Sequence, residues 1–230
     1  MHYFILAVSK NKAQLFDVSD DRVSPHPVDG MPSSMADAWK GMERSEQSLQ
    51  THSSGDGVSS HHGGGGVNDL VEQEEDKYIH ALAKSLHTFL HGQHDPLVFA
   101  GVAEAHGMFK KFDQSGRLLE EFIQGSPDQI PMEDLKAKAD PIVHAHMMKK
   151  NEAVLEQFGA LHGTGRTSVD AAEIADKAAA GKVETLILPE GSTDEHEPLA
   201  REVWKHRGSA VIVESAKMPE SSSLAAILRL

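Results

Sequence analysis

The sequence predicts a two-domain α/β protein. Strand-like apolar runs alternate with segments of helical periodicity, the pattern that builds layered α/β folds. Some of those runs, such as "PLVFAGV" (96–102), are wholly apolar, which is how a strand covered on both faces reads. The alternation also stops at a proline-bounded break, Pro127 to Pro131, and starts afresh beyond it. A boundary near residue 130 follows, with domains at 1–130 and 131–230.

The chain opens with "YFILAVSKNKAQLFDVSDDRVSPHPV", two β-rich runs joined at Ser9-Lys10-Asn11-Lys12 with a polar break at Ser19-Asp20-Asp21. This is a hairpin pattern with room for a third short strand. Residues 29–67 are poor in apolar residues and rich in Ser, Gly, His and Met, and so read as one long loop, its glycine-rich part at 52–67. Loops of that length are uncommon in compact domains and often functional. From Asn68 to about His91, apolar residues at Leu70, Val71, Tyr78, Ile79, Leu82, Leu86, Phe89 and Leu90 fit one face of a helix. Asn68 can cap it, and the acidic residues of its first turns complement the dipole. Residues 96–102 read as a buried parallel strand, a helix or turn follows at Ala103–Phe112, and "GRLLEEFIQGSPDQIP" closes the region.

In the second half, Glu133 to Leu161 has helical periodicity, with an interruption or bend expected at Pro141. A helix from Val169 to Ala180 then stops at Gly181 and feeds an apolar strand at Val183 to Leu188. "EPLAREVWKHRGSAVIVES" repeats helix, glycine and strand, and "SSSLAAILRL" adds a short apolar element.

Composition narrows the function classes. The 39% hydrophobic and 25% charged content belongs to a chain that can bury a core. With no cysteine, disulfides and thiolate-bound zinc are excluded, and a reducing compartment fits. No apolar stretch approaches the roughly 20 residues that cross a bilayer. "MHYFILAVSKNK" lacks a basic leader region and reads as a strand. A soluble cytoplasmic protein without a membrane partner is expected. The net charge is −13, of which −9 falls on residues 1–130 and −4 on 131–230. Binding through phosphates needs clustered Lys and Arg. Only the pairs Lys110-Lys111 and Lys149-Lys150 occur, so DNA is not an expected partner, whereas a mixed protein and RNA surface remains open.

Fifteen histidines raise the question of a metal. His87 and His91 stand at i and i+4, a spacing that places both on one helix face, with His80 on a similar face and His94 just beyond. No "HExxH" occurs and no carboxylate sits between the pair, so solvated surface histidines are the expected reading. The strand runs carry no catalytic carboxylate pair. Asp17 stands alone and reads as a turn residue, and no "GxSxG" is present.

Taken in order, "FILAVSKNKAQLFDV", the loop into the long helix at Gly63 to His91, "LVFAGVAE", "TGRTSVDAAEIADKAAAGKVETLIL" and "SSLAAILRL" resemble the middle and C-terminal domains of the archaeo-eukaryotic peptide chain release factor and Pelota superfamily. The match is to its bacterial branch of release-factor-like proteins. The resemblance implies a ribonuclease H-like middle domain. It also implies a last domain with the α/β/α sandwich of the kink-turn-binding ribosomal proteins. Residue 1 already falls at the start of the middle domain, so the codon-reading N-terminal domain has no counterpart in these residues. The resemblance further implies docking on ribosomal RNA and protein, and contact between the last domain and a translational GTPase. Ala226, Ile227, Leu228 and Arg229 match the family's terminal motif, although the apolar three are expected in the core.

In true release factors the loop carries Gly-Gly-Gln. Here Gly63, Gly64, Gly65 and Gly66 are followed by Val67, preceded by His61 and His62, and trailed by Asp69, Glu72, Glu74, Glu75 and Asp76. The missing glutamine removes the residue the chemistry needs, and acidic charge is repelled by ribosomal phosphates. The loop is not a Walker A sequence either, since no Gly-Lys-Ser/Thr follows, and no cofactor is expected. His61, His62 and the four glycines are retained as candidates for ribosome contact. The expected function is a noncatalytic, ribosome-associated, release-factor-like factor acting in translational stress, hibernation or rescue. The alternatives are a hydrolase of peptidyl-tRNA or another RNA-linked ester, and an RNA-binding module.

Overall fold

A computed structural model describes residues 1–20, 22–40, 67–191 and 193–229, with the backbone alone for 67–73 and 193–194. The chain divides into two units, Met1–His144 and Ala145–Leu230.

The first unit is built on a five-stranded sheet. β1 (His2–Val8) and β2 (Ala13–Ser19) form the hairpin, and β3 (Arg22–His26) continues it antiparallel. β4 (Leu97–Gly101) lies parallel to β1 on its other side, and the short β5 (Ile123–Gln124) lies parallel to β4. The order is therefore β3-β2-β1-β4-β5. β1 shows why its sequence is continuously apolar. Phe4, Leu6 and Val8 join a core with Ile79, Leu82 and Leu86 of α1 (Val67–Phe89) and Phe109 of α2 (Ala103–Phe112). Tyr3 and Ile5 point to the opposite face and are just as buried. There the Tyr3 hydroxyl donates to Asp140 at 2.7 Å, so a buried polar group ends in a hydrogen bond rather than in an unpaired state. β4 is buried at all five positions. As predicted, Leu82 and Leu86 pack against it, with Phe89 half-buried beside them.

The predicted loop is shorter than its composition suggested. Residues 28–40 are anchored rather than free. Met31 closes a turn onto Val28, and Ser85 donates to the Gly30 carbonyl at 3.0 Å. Ala13 donates to Ser33, Met35 to Lys10, and Ala38 is buried in the core. Spaced apolar residues, Val28, Met31, Met35 and Ala38, supply the anchor; the surrounding polar composition hides them. The rest of that loop reading, from 41 to 66 and including its glycine-rich part, falls outside the described residues.

α3 (Met132–Leu161) is one helix that runs on through Pro141, where the bend was expected. The ring removes a single i→i−4 bond, and the turns on either side keep their own. The two units divide inside this helix, at His144–Ala145, not at the prolines. Pro127 is buried and Asp128 accepts from Asn11, so the proline-bounded segment belongs to the first unit. Leu135, Ala139 and Val143 of α3 are buried as well.

The second unit holds a four-stranded sheet of order β6-β9-β7-β8, formed by β6 (Thr167–Ser168), β7 (Val183–Pro189), β8 (Ser209–Val213) and β9 (Ala225–Leu228). β7 and β8 are parallel; β9 runs antiparallel to both its neighbours. Ile174 and Ala178 of α4 (Ala171–Ala179) and Ala200 and Val203 of α5 (Thr193–Lys205) cover one face. Phe158, Val154 and Leu155 of α3 cover the other. This is the α/β/α layering that the resemblance implied. Asp170 caps α4 by accepting from Glu173 N at 2.8 Å, a donor that the first turn leaves free, and the Glu173 carboxylate accepts from Ser168 Oγ at 2.6 Å.

Candidate functional site at the carboxyl ends of the parallel strands

In open α/β sheets, ligand sites form outside the carboxyl ends of the strands, where neighbouring connections leave in opposite directions. In the first unit that point lies between β1 and β4. β1 leaves by the hairpin toward β2, whereas β4 leaves through α2 toward β5. A cleft of about 270 Å³ opens there. Val8, Val102, Ile79 and Ala105 line its apolar part, and Val102 is 44% exposed. Ser9, Lys10 and Asn11 of the hairpin turn, Glu75 of α1, and Ser126 and Asp128 beyond β5 form its polar part.

The turn is held rigidly. Ser9 Oγ accepts from the amides of Asn11 and Lys12 at 3.1 and 3.0 Å, and Ser9 N donates to the Lys12 carbonyl at 2.8 Å. Tyr78 Oη donates to the Ser9 carbonyl at 3.1 Å. Burial, and then the charge of Asp128, push that hydroxyl well above the ordinary tyrosine range, so it acts as a fixed donor. Lys10 is paired with Glu75 at 3.0 Å, and Asn11 Nδ2 donates to Asp128 Oδ2 at 3.3 Å. Gly101 ends β4 with no room for a side chain, since a Cβ would meet the Phe99 ring at 2.6 Å and the Val8 carbonyl at 2.9 Å. The arrangement can hold a small ligand with an apolar body and hydrogen-bonding donors. It lacks a nucleophile paired with a base.

None of the sequence candidates among the described residues lines this cleft. His61, His62, Gly63, Gly64, Gly65 and Gly66 lie outside the described residues. His87 and His91 are exposed with ring centroids 6.4 Å apart. His80 packs on Phe112, and His94 meets Arg117 at 3.0 Å. Among the described residues no group of three or more His, Asp or Glu could hold a metal ion. Asp17 is tied to His2 at 3.3 Å and to Ser19 at 3.1 Å. Ala226 and Ile227 are 0% exposed and Leu228 4%, so their side chains present no surface to a partner. Arg229 Nη1 donates to the carbonyls of Gly181 and His206 at 3.1 and 2.8 Å, tying β9 to the ends of α4 and α5. The cleft residues escaped sequence reading because β1 and β4 are far apart in the chain. The only available signals were the Ser9–Lys12 turn and the glycine closing "PLVFAG".

Residues 2–182, from β1 through α4, match the model of bacterial archaeo-eukaryotic release factor family 3. The chain belongs to that family. The resemblance read from the sequence is thereby established for most of its length. No curated protein matches the sequence. Among solved structures, archaeal Pelota, from a model of ribosome-bound Pelota and ABCE1, superposes with a TM-score of 0.60 at 17% identity. That alignment covers 99% of this chain and 61% of that one. Dom34 of S. cerevisiae, described as a translation termination-like factor involved in RNA quality control and interacting with Hbs1, gives 0.52 at 11% identity, covering 99% and 62%. The family 3 chain therefore shares their fold and spans about three-fifths of their length. Among the described residues no helix is long and apolar enough to cross a membrane.

Proposed function

We propose that this chain is a ribosome-associated, release-factor-like protein that acts in translational stress, hibernation or rescue without hydrolysing peptidyl-tRNA. The observation that carries the reading is the family match from β1 through α4, joined to a glycine loop in which Val67 follows Gly66 and no glutamine is present. In this reading the first unit docks in the ribosomal A-site region with its loop toward the peptidyl-transferase centre. The second unit contacts a translational GTPase, as Dom34 is described as interacting with Hbs1. With the β9 side chains buried, that contact falls to the outer surface. There Trp204 is 54% exposed on α5, and exposed tryptophans are favoured anchors at interfaces.

The test is sedimentation of lysate through a sucrose gradient, with the protein followed in growing and in starved cells. Cosedimentation with ribosomes is expected in at least one state, and a wholly free pool in both would refute the reading. In a peptide-release assay on ribosomes carrying peptidyl-tRNA, no release above background is expected. Release that disappears on replacing Gly63–Gly66 would instead restore the hydrolase reading.

A further inference from the structure

We propose that the β1/β4 cleft binds a small primary aliphatic amine, its ammonium group held at Asp128 and its alkyl stem laid along Val8, Ile79 and Val102. The proposal stands on the cleft alone and does not depend on ribosome binding.

Three observations point to that chemistry. The volume of about 270 Å³ sits just below the range of ordinary small-molecule pockets, roughly 300–1,000 Å³, and suits a ligand of few atoms. The floor is aliphatic, and the exposed Val102 is an apolar surface left open to water beside it, which an alkyl stem would cover. The rim carries acceptors that its own internal pairs leave over. The Tyr78 hydroxyl is already spent on the Ser9 carbonyl, and one of the two N–H groups of the Asn11 side chain is spent on Asp128. The Lys10 ammonium is neutralised by Glu75 Oε2. Asp128 keeps Oδ1 outside its contact with Asn11, and Asn11 keeps its own side-chain carbonyl. Among the described lining residues Glu75 cancels Lys10, and Asp128 leaves one net negative charge. A ligand with three N–H donors and a positive charge complements that rim. An anion meets the repulsion of Asp128, and a neutral apolar molecule brings that carboxylate no partner beyond Asn11.

The chemistry has two sources, a free diamine or the lysine side chain of a polypeptide, and the experiment separates them. The full chain, labelled with ¹⁵N, is titrated near physiological ionic strength with 1,4-diaminobutane, with N-acetyl-lysine methylamide, and with butane-1,4-diol as the uncharged counterpart. The expected result is a saturable shift of the amides of Ser9, Lys10, Asn11, Val102 and Asp128 with an amine and none with the diol. Tighter binding of the diamine identifies a free amine as the ligand; tighter binding of the lysine derivative identifies a side chain. Asp128→Asn, an exposed and near-isosteric change, is expected to weaken binding about tenfold, as loss of a charged hydrogen bond does. Val102→Arg, which places a cation at the mouth, is expected to abolish it, with the spectrum itself reporting that each variant is folded. The proposal is overturned if no cleft amide shifts saturably, if the diol binds as well as the amines, or if Asp128→Asn binds unchanged.

Discussion

Replacing Gly101 by alanine adds one methyl group where β4 meets the cleft. Its backbone φ is not in the left-handed region, so conformation alone would favour alanine, by about 0.5–1 kcal/mol. Space opposes it. The new carbon would lie 2.6 Å from Cε1 of Phe99 and 2.9 Å from the Val8 carbonyl oxygen. The Phe99 ring is fully buried against Phe109 and His106. The Val8 carbonyl belongs to β1, so neither neighbour can yield without disturbing the core or the β1–β4 ladder. Overpacking of this kind costs about 1–3 kcal/mol, which leaves a net loss of up to about 2.5 kcal/mol after the conformational gain. For a unit of this size the melting temperature should fall by up to about 10 °C. The chain has two tryptophans, Trp39 in the first unit and Trp204 in the second, so a Trp204→Phe background makes fluorescence report the first unit alone. Gly107→Ala is the internal control. It sits within α2 with nothing near its missing Cβ, and should raise stability by about 0.5–1 kcal/mol. If Gly101→Ala melts at or above its parent, the close approach of β1 and β4 is not what requires glycine there.

Arg207 follows α5 with φ +58°, a conformation that costs a non-glycine residue about 1–2 kcal/mol. Arg207→Gly should therefore raise the guanidinium midpoint of the second unit, read by Trp204 fluorescence; an unchanged midpoint would count against strain at that turn. Ile227→Asp buries a charge in the centre of the second sheet and should cost several kcal/mol, leaving Trp204 denatured while Trp39 still reports a folded first unit. His106 is stacked on Phe122 at 4.1 Å with its Nε2 buried and unpartnered. Burial, then the charge of Lys110, hold its pKa below the ordinary value. The unfolded chain thus takes up the proton first, so this residue erodes the first unit's stability as pH falls below about 6.5. The difference between wild type and His106→Leu in urea melts should change with pH below that value and be flat above it; a constant difference would refute the assignment. The difference also removes the opposing effect of His2. Burial lowers the pKa of His2, but its bonds to Asp95 and Asp17 outweigh burial and raise it.

The elements legible in the sequence were those whose burial is one-dimensional. β4 and α1 announce themselves through an apolar run and an i, i+3, i+4 stripe, because β4 is buried at every position and α1 packs Tyr78, Ile79, Leu82 and Leu86 into the same core. β9 was legible only as apolar, since "AAIL" carries no sign of whether it joins an edge or a centre. β5 and β6 are two residues each, too short to carry any period. Pro141 does not interrupt α3, because an internal proline costs one hydrogen bond and a thirty-residue helix absorbs that loss. The units divide inside α3 and not at the prolines, since prolines mark a change of backbone direction rather than the edge of a core. The cleft needs both the pairing of β1 with β4 and the return of Asp128 to Asn11, contacts that span roughly ninety and more than a hundred residues. No local pattern encodes either.

The position of β9 sets an order of events for any chain being synthesised. β6 and β7 do not touch each other in the sheet; each pairs with β9. When Thr167 to Val213 have been made, β7 and β8 can pair, yet the inner edge of β7 stays open and β6 has no partner at all. That open edge is apolar, and unpaired edges of this kind recruit other strands. The vulnerable interval ends only when residues 225–228 slide between β6 and β7 and Arg229 locks onto the ends of α4 and α5. A messenger cut or a stalled ribosome before Ala225 would thus release a second unit that is not merely shorter but topologically unfinished, with adhesive strands on show and a clear mark for proteolysis.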